Sequence, residues 1–545
     1  MSFEEYFSLE AIVGDLIRWR VKGKGSVDEN GRRDVEKMLP PRRTWSRAGA
    51  MARKGVDPEV VRKQAIWRTV RRECGDVREC CQPPLLRLRR SGCGNVASSN
   101  VVSFQLRWAQ NLMKLVREVR EAVLSGKVAF KKPRMIKIPK GYKGGVQEFR
   151  DVASFDNLAD RVILSRVTVY VRDILEGVLG DCCYSFRRDP ERSHQLAIEK
   201  LQVWRADHAN GEMYVAECDI KKFFDNISHD VVRRCWGKVG FDQAAGKVLE
   251  AYLAVYSSSD TERRGLPQGG SFSTVLANLV LHEADEAVNA LDDGRLFYAR
   301  YCDDVVIAHP DEPVCRAALE AYKSALAGLE LPIHPVASFV YRPADGRSTD
   351  YYAIKSKGPF RWAETAVGEA DCAPWLSFLG SQVRYDGETR IRKESIEKHV
   401  RALGHETAAA VAVLQKYEKE GLLRKCMPPA AVKVYLEWFA SFRNRLIAKG
   451  VGYVTAKVKD CHLCWAGAFT RVTNCADTRK LMRRIDRVRE GMLSKVWRML
   501  PRSCGKKRRR YKGKPFSYCG FLENAVRPTN MRSRRQRLLM PYSEL

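Results

Sequence analysis

The sequence predicts an α+β fold: a small sheet of apolar strands flanked by helices and followed by an almost wholly helical end. Three observations carry that expectation. Tyr214-Val215-Ala216-Glu217-Cys218-Asp219-Ile220 and Tyr301-Cys302-Asp303-Asp304-Val305-Val306-Ile307 are short, mainly apolar runs that read as strands. Beyond Trp375, apolar residues recur every three or four positions over 398–417, 429–447 and 477–499, the period of amphipathic helices. Finally, 545 residues at 45% hydrophobic and 30% charged hold enough apolar material for several packed cores.

Taken in order, the first hundred residues are basic and turn-rich, with Arg71-Arg72, Arg87-Leu88-Arg89-Arg90 and a Ser/Gly/Asn stretch that places a boundary near residue 100. Leu106, Leu112, Leu115, Val116, Val119 and Val123 then define one amphipathic helix over 102–125. Arg134 to Lys140 alternates like a strand and runs into Gly141, Gly144 and Gly145, the pattern of a hairpin. Residues 157–179 read as a helix, and 213–220 as a strand feeding a helix that Ser228 would cap. A long helix is expected over 269–291, and two short strands split at an Asp-Asp turn over 295–308.

With 96 Lys+Arg against 65 Asp+Glu, the net charge of +31 points to a polyanion partner, because cations that neutralise phosphates release condensed counterions. No run approaches the ~20 apolar residues of a membrane helix, so no membrane partner is expected. The acidic start, Met1-Ser2-Phe3-Glu4-Glu5-Tyr6, lacks the basic-then-apolar pattern of a secretory signal and suggests a cytoplasmic protein. Seventeen cysteines without a regular framework suit reduced thiols. Cys461-His462-Leu463-Cys464 has zinc-like spacing but no second pair, so buried thiols are the default reading.

Against this basic background, Asp219 and the Asp303-Asp304 pair stand out. Carboxylates at the ends of apolar strands are costly to bury without cations. A pair of Mg²⁺ ions about 4 Å apart would offset that cost and clamp the oxygens of a phosphoryl displacement. By itself, Asp-Asp reads more readily as a turn dipeptide than as a metal site.

The surrounding motifs decide between these. Tyr301-Cys302-Asp303-Asp304 resembles the Tyr-x-Asp-Asp motif of reverse transcriptases, and Asp219-Ile220-Lys221-Lys222-Phe223-Phe224-Asp225-Asn226-Ile227 resembles their first palm motif in the group II intron and bacterial style. Gly265-Leu266-Pro267-Gln268-Gly269-Gly270 with Leu276-Ala277-Asn278-Leu279 is similar to the Pro-Gln-Gly motif and its helix. Trp375-Leu376-Ser377-Phe378-Leu379-Gly380 is similar to the primer grip, and Arg390 to Ile396 to the entry into the thumb. Ile138-Pro139-Lys140, Asp160-Arg161-Val162 and Tyr184-Ser185-Phe186-Arg187 echo fingers motifs. Together these span roughly residues 130 to 400 in the family's order.

The resemblance implies a right-hand polymerase with an antiparallel palm sheet. Its parts would be a basic N-terminal extension (1–100), fingers (101–205), palm (206–385), helical thumb and C-terminal helices (386–500) and a basic tail (501–545). The expected activity is RNA-directed DNA synthesis. Asp219, Asp303 and Asp304 would be catalytic and would hold two Mg²⁺, or Mn²⁺ as substitute, with the Ile220 carbonyl as a further ligand. Phe224 would exclude a 2′-hydroxyl, Gln268 and Gly269 would meet the incoming nucleotide, and Lys140, Arg150, Arg161 and Arg187 would bind its triphosphate. Tyr301, Cys302, Phe378, Leu379 and Gly380 would contact primer and template, and Lys506, Lys507, Arg508, Arg509 and Arg510 would form a nucleic-acid-binding tail.

The chain departs from the family where a Lys usually follows the helix after the Asp-Asp hairpin. It has Leu331-Pro332-Ile333-His334, so either His334 would substitute as the proton donor or the role is absent. Tyr511, Tyr518 and Tyr542 are candidate priming hydroxyls. With no recognisable nuclease and with basic ends, the chain is most like the defence-associated bacterial enzymes of the unknown groups. That likeness implies a non-coding RNA partner, an RNA–DNA hybrid product, dNTPs and a role in antiphage defence, and leaves a homo-oligomer open. The alternatives are a group II intron-type maturase and reverse transcriptase without an endonuclease, an RNA-dependent RNA polymerase, and a non-catalytic RNA-binding scaffold.

Overall fold

The computed structural model describes residues 2–21, 34–40, 58–74 and 99–500, apart from 144–145, 190–191, 260, 262, 343–349, 367, 423–426, 452–453, 456–457, 460–464 and 470–475, together with 501, 503–504 and 518. Its longer helices are α1 (Leu9–Val21), α2 (Pro58–Cys74), α3 (Ser99–Leu124), α4 (Leu158–Leu175), α5 (His194–Asp207), α6 (His229–Val239), α7 (Gln243–Ala254), α8 (Ser271–Asn289), α9 (Glu312–Gly328), α10 (Lys393–Lys419), α11 (Pro429–Val451) and α12 (Ala476–Arg498). The strands used below are β1 (Arg134–Lys143), β2 (Val146–Ser154), β3 (Tyr214–Cys218), β4 (Phe297–Tyr301), β5 (Asp304–His309), β6 (Val336–Ala337), β7 (Ser356–Trp362), β8 (Cys372–Ala373), β9 (Trp375–Phe378), β10 (Ser381–Arg384) and β11 (Thr389–Ile391). Every helix and strand expected above is present within a few residues of its expected ends. Ser228 does precede α6, though its side chain makes no capping bond.

The central sheet has the order β4-β5-β3-β7-β6, with β8 alongside β7. β4, β5, β3 and β7 run antiparallel, while β6 and β8 join β7 in parallel. Alternation decides the two faces. Ala216, Cys218, Val305 and Ile307 belong to a core shared with α8 and α9, and Val215, Val306, Ala308 and Phe297 belong to a second core beneath β9 and β10. Covered on both sides, these strands read in the sequence as near-continuous apolar runs.

The first core runs from Phe3 to Leu331. Phe7, Ile12, Leu16, Ile66 and Val70 therefore share packing with α3 and α4, and Asp15 pairs with Arg166 of α4 at 2.7 Å with the carboxylate fully buried. α10, α11 and α12 enclose two further clusters. One contains Tyr518, which is 0% exposed with its hydroxyl 2.6 Å from His399 Nε2. That burial corrects its expected role as a priming hydroxyl. No helix of the described residues is long and apolar enough to cross a membrane. Cys461, Cys464, Tyr511, Tyr542 and the run Lys506, Lys507, Arg508, Arg509, Arg510 lie outside the described residues.

Candidate active site

β3 ends where β5 begins, since Cys218 pairs with Val305, and this register brings Asp219 beside the Asp303-Asp304 turn. Tyr301 pairs with Asp304, leaving Cys302 and Asp303 as a two-residue loop. Cys302 takes a φ of +60°, the left-handed region that such hairpin turns demand and that side chains resist.

The carboxylates feel one another. Burial chiefly raises the Asp303 pKa, the charge of Asp219 adds to it, and Arg150 on β2 pulls the other way. Asp304 is exposed to solvent by surface area, yet the protein crowded around its carboxyl, with Glu217 and Asp303 adding charge, pushes it up to about 7. The Leu379 backbone N–H opposes that rise, tying the Asp304 carboxyl to the β9–β10 turn. Leu379 and Gly380 both have positive φ there.

Of the groups around these acids, Lys355, Lys357 and Glu217 were not singled out from the sequence, whereas His334 was. Lys355 Nζ donates to Asp219 Oδ2 at 3.0 Å, and His334 Nε2 stands 3.8 Å from the same oxygen. Glu217 meets Lys357 Nζ at 2.5 Å, with its other oxygen, Oε1, buried and unpartnered. Lys355 and Lys357 flank Ser356, whose hydroxyl accepts the Asp219 N–H at 3.0 Å. Only the pairing of β7 with β3 brings these cations to the acids, over 130 residues away in sequence.

No three His, Cys, Asp or Glu side chains among the described residues gather tightly enough to form a ready metal site. The donor set nonetheless suits a hard cation. It offers carboxylate oxygens, two of them on groups with raised pKa values, and the Lys355 ammonium already stands as counter-ion on Asp219. Ile220, 2% exposed, is held by a bridge to Ile333.

The Gln268 carbonyl accepts the Ala153 N–H at 2.8 Å, locking β2 onto the Pro-Gln-Gly loop. Gly269 has a φ of +92°, and a Cβ there would meet Val152 at 2.4 Å, so only glycine fits. Gln268 Nε2 lies 3.5 Å from Asp225. Phe224 is half-buried, whereas Phe223 beside it is in the core.

The four candidate triphosphate cations part company. Arg150 is exposed, and its charge is felt at Asp303 and Asp225. Arg161 pairs with Asp34 and lies over Trp19. Arg187, 6% exposed, binds Glu176 and the carbonyls of Leu179 and Gly180, which caps the chain after α4. The Lys140 side chain lies outside the described residues.

The raised Asp304 pKa has a sign that can be measured. A carboxyl whose folded pKa exceeds its unfolded value of about 4 stabilises the fold at low pH and loses that contribution as pH rises through about 7. In chelator, wild type should therefore lose about 1 kcal/mol, after discounting for its solvent edge, between pH 5 and 8 relative to Asp304→Asn. Thermal unfolding of both proteins checks this, and equal pH slopes would count against it.

This arrangement lies within a reverse-transcriptase-like domain. Residues 161–344 match the family model described as reverse transcriptase (RNA-dependent DNA polymerase). Among curated proteins, the chain is 29% identical over 193 residues to the putative COX1/OXI3 intron 1 protein of Saccharomyces cerevisiae, covering 34% of this chain and 22% of that one. It is 29% identical over 244 residues to protein YkfC of Escherichia coli, covering 38% and 61%. It is 33% identical over 134 residues to the group II intron-encoded protein LtrA of Lactococcus lactis, covering 24% and 21%. The chain thus spans less than two thirds of the length of each of these relatives. A solved telomerase from Candida albicans aligns with 79% of this chain and 74% of its own at 12% identity, but a TM-score of 0.33 gives that likeness no weight.

Proposed function

We propose that the chain is an RNA-directed DNA polymerase of the group II intron-encoded kind, using Mg²⁺ and dNTPs to copy RNA. The observation that carries this is the meeting of Asp219, Asp303 and Asp304 at one sheet end, within the residues matched by the reverse transcriptase model. Two of the three relatives above are intron proteins, which favours the intron-type alternative over a defence role with a separate non-coding RNA.

When bound, a pair of Mg²⁺ ions would neutralise charge on the attacking and leaving oxygens. Asp219, Asp303 and Asp304 would hold them, with the Ile220 carbonyl. Gln268 and Gly269 would seat the nucleotide, Arg150 would draw in its triphosphate, and the Phe224 ring would exclude a 2′-hydroxyl. Lys355 and His334 both stand beside Asp219 Oδ2 and are the two candidate donors to departing pyrophosphate. Leu379 and Gly380 would steady the primer end. Purified protein given RNA template, DNA primer, Mg²⁺ and dNTPs should make cDNA. RNA binding without any dNTP incorporation, in Mg²⁺ or Mn²⁺, would leave the scaffold reading standing instead.

The RNA-binding surface includes α12. Arg479, Lys480, Arg483, Arg484, Arg487 and Lys495 are all exposed on it and pair with no carboxylate among the described residues. Cations of the neighbouring helices do pair, as in Arg401–Glu397, Lys416–Glu420 and Lys449–Glu406. Replacing Arg479, Arg483, Arg484 and Arg487 by Gln should flatten the slope of log affinity against log salt for RNA by about 2 to 3. An unchanged slope in a binding titration would remove α12 from the interface.

A further inference from the structure

Arg300, two residues before Cys302, places a guanidinium inside the molecule with its side chain 0% exposed. A buried charge persists only when paired and hydrogen-bonded, and here every arm is engaged. Asp285 of α8, 1% exposed, accepts from Nε at 2.7 Å and from Nη2 on its other oxygen. Tyr298 donates to that carboxylate at 2.7 Å. Nη1 donates to Asn278 Oδ1 at 3.1 Å and reaches the Cys302 carbonyl at 3.4 Å. Asn278 is itself fixed, accepting from Ser185 Oγ at 2.8 Å and donating to the Ser185 carbonyl at 2.7 Å. The Arg300 backbone is clamped as well, donating to the Cys182 carbonyl at 2.8 Å and accepting from Tyr184 N at 2.9 Å.

The network ends on the Cys302 carbonyl, in the one peptide of the hairpin loop that has φ +60°. A non-glycine residue holds that conformation only where its surroundings over-determine it. We propose that the buried Arg300–Asp285 pair, braced by Asn278, is a positioning device that holds Cys302 left-handed and so sets where Asp303 presents its carboxylate. Neither residue touches the reacting atoms. The role in catalysis rests on the polymerase reading, while the control of the turn does not.

A merely structural pair would show itself differently. Replacing both members of a buried ion pair by apolar groups of similar size is often neutral for stability, whereas removing one strands the other charge. The test is therefore the double variant Arg300→Met with Asp285→Leu, compared with wild type and Arg300→Lys. The double variant should stay folded, its unfolding temperature a few degrees below wild type because the Tyr298 hydroxyl loses its acceptor, and keep its RNA affinity and dNTP KM. Its kcat should drop about 100-fold, the cost of a small misplacement at a reacting centre. Alkylation of Cys302, followed by mass spectrometry of its peptide, reads the turn without relying on catalysis. This thiol is 9% exposed, and its labelling should quicken at least about tenfold when the clamp is lost, as local opening predicts.

A stable double variant with wild-type kcat and wild-type labelling would overturn the proposal. Wild type that makes no cDNA while the double variant still labels faster would sink the polymerase reading and leave the clamp standing. Should the double variant fail to fold, Cys302→Gly in the Arg300→Lys background decides the matter. Glycine takes the left-handed turn freely and should recover much of the lost kcat, and no recovery overturns the clamp.

Discussion

Asp303→Ala should abolish cDNA synthesis while leaving the protein folded and bound to RNA. The side chain sits at the second position of the hairpin loop, its pKa raised by burial and by the charge of Asp219. Such a group strains the fold it sits in, so removing it relieves a repulsion rather than opening a core. Thermal unfolding of the variant should therefore match or exceed wild type at pH 8. Catalysis should respond in the opposite sense. If Asp303 holds the cations that neutralise the developing charge, its loss costs about 4 kcal/mol or more, roughly 10³-fold in rate. Single-turnover primer extension with saturating RNA measures that loss. Activity within tenfold of wild type would remove Asp303 from the chemistry and favour the scaffold reading.

The parts of this site that were legible in the sequence are local. Asp219, Asp303 and Asp304 announce themselves because each is an acid at the end of an apolar run, and Gly269 because a glycine between Gln268 and a helix start marks a tight approach. Helix positions followed from periodicity, since one face of each is buried. What stayed hidden depends on register between distant strands. Nothing in Lys355-Ser356-Lys357 as a tripeptide says that β7 lies beside β3, yet that pairing supplies the counter-ions of Asp219 and Glu217. Arginine roles were equally opaque. Arg150 and Arg187 look alike in the sequence, but one lies exposed near Asp303 and the other caps backbone carbonyls after α4. The Arg300–Asp285 pair was invisible for the same reason, because Asp285 reads as an ordinary polar residue on a helix until β4 packs against it.

Phe224→Ala should let the enzyme accept ribonucleotides, and the contrast with Phe223 makes that expectation sharp. The two rings are neighbours, 5.2 Å apart, but Phe223 is 3% exposed in the first core whereas Phe224 is only half-buried against it. The Phe224 backbone is fixed independently of its ring, because its carbonyl accepts the Leu266 N–H at 2.8 Å, two residues before Gln268. Truncating the ring therefore opens space beside the Pro-Gln-Gly loop without moving the chain. A ring in contact with the sugar excludes a hydroxyl by overlap, and removing it should improve the ribo- to deoxynucleotide ratio of kcat/KM by about 10²-fold, near 3 kcal/mol. Deoxynucleotide incorporation should fall less than about tenfold, since the change removes a repulsion from one substrate rather than a contact made only in the transition state. Phe223→Ala should do the reverse, costing about 3 kcal/mol or more of stability while leaving sugar choice alone. Competition assays with paired rNTP and dNTP substrates separate the two. An unchanged ratio in Phe224→Ala would assign the ring to packing alone, and free use of ribonucleotides by wild type would point to RNA synthesis instead.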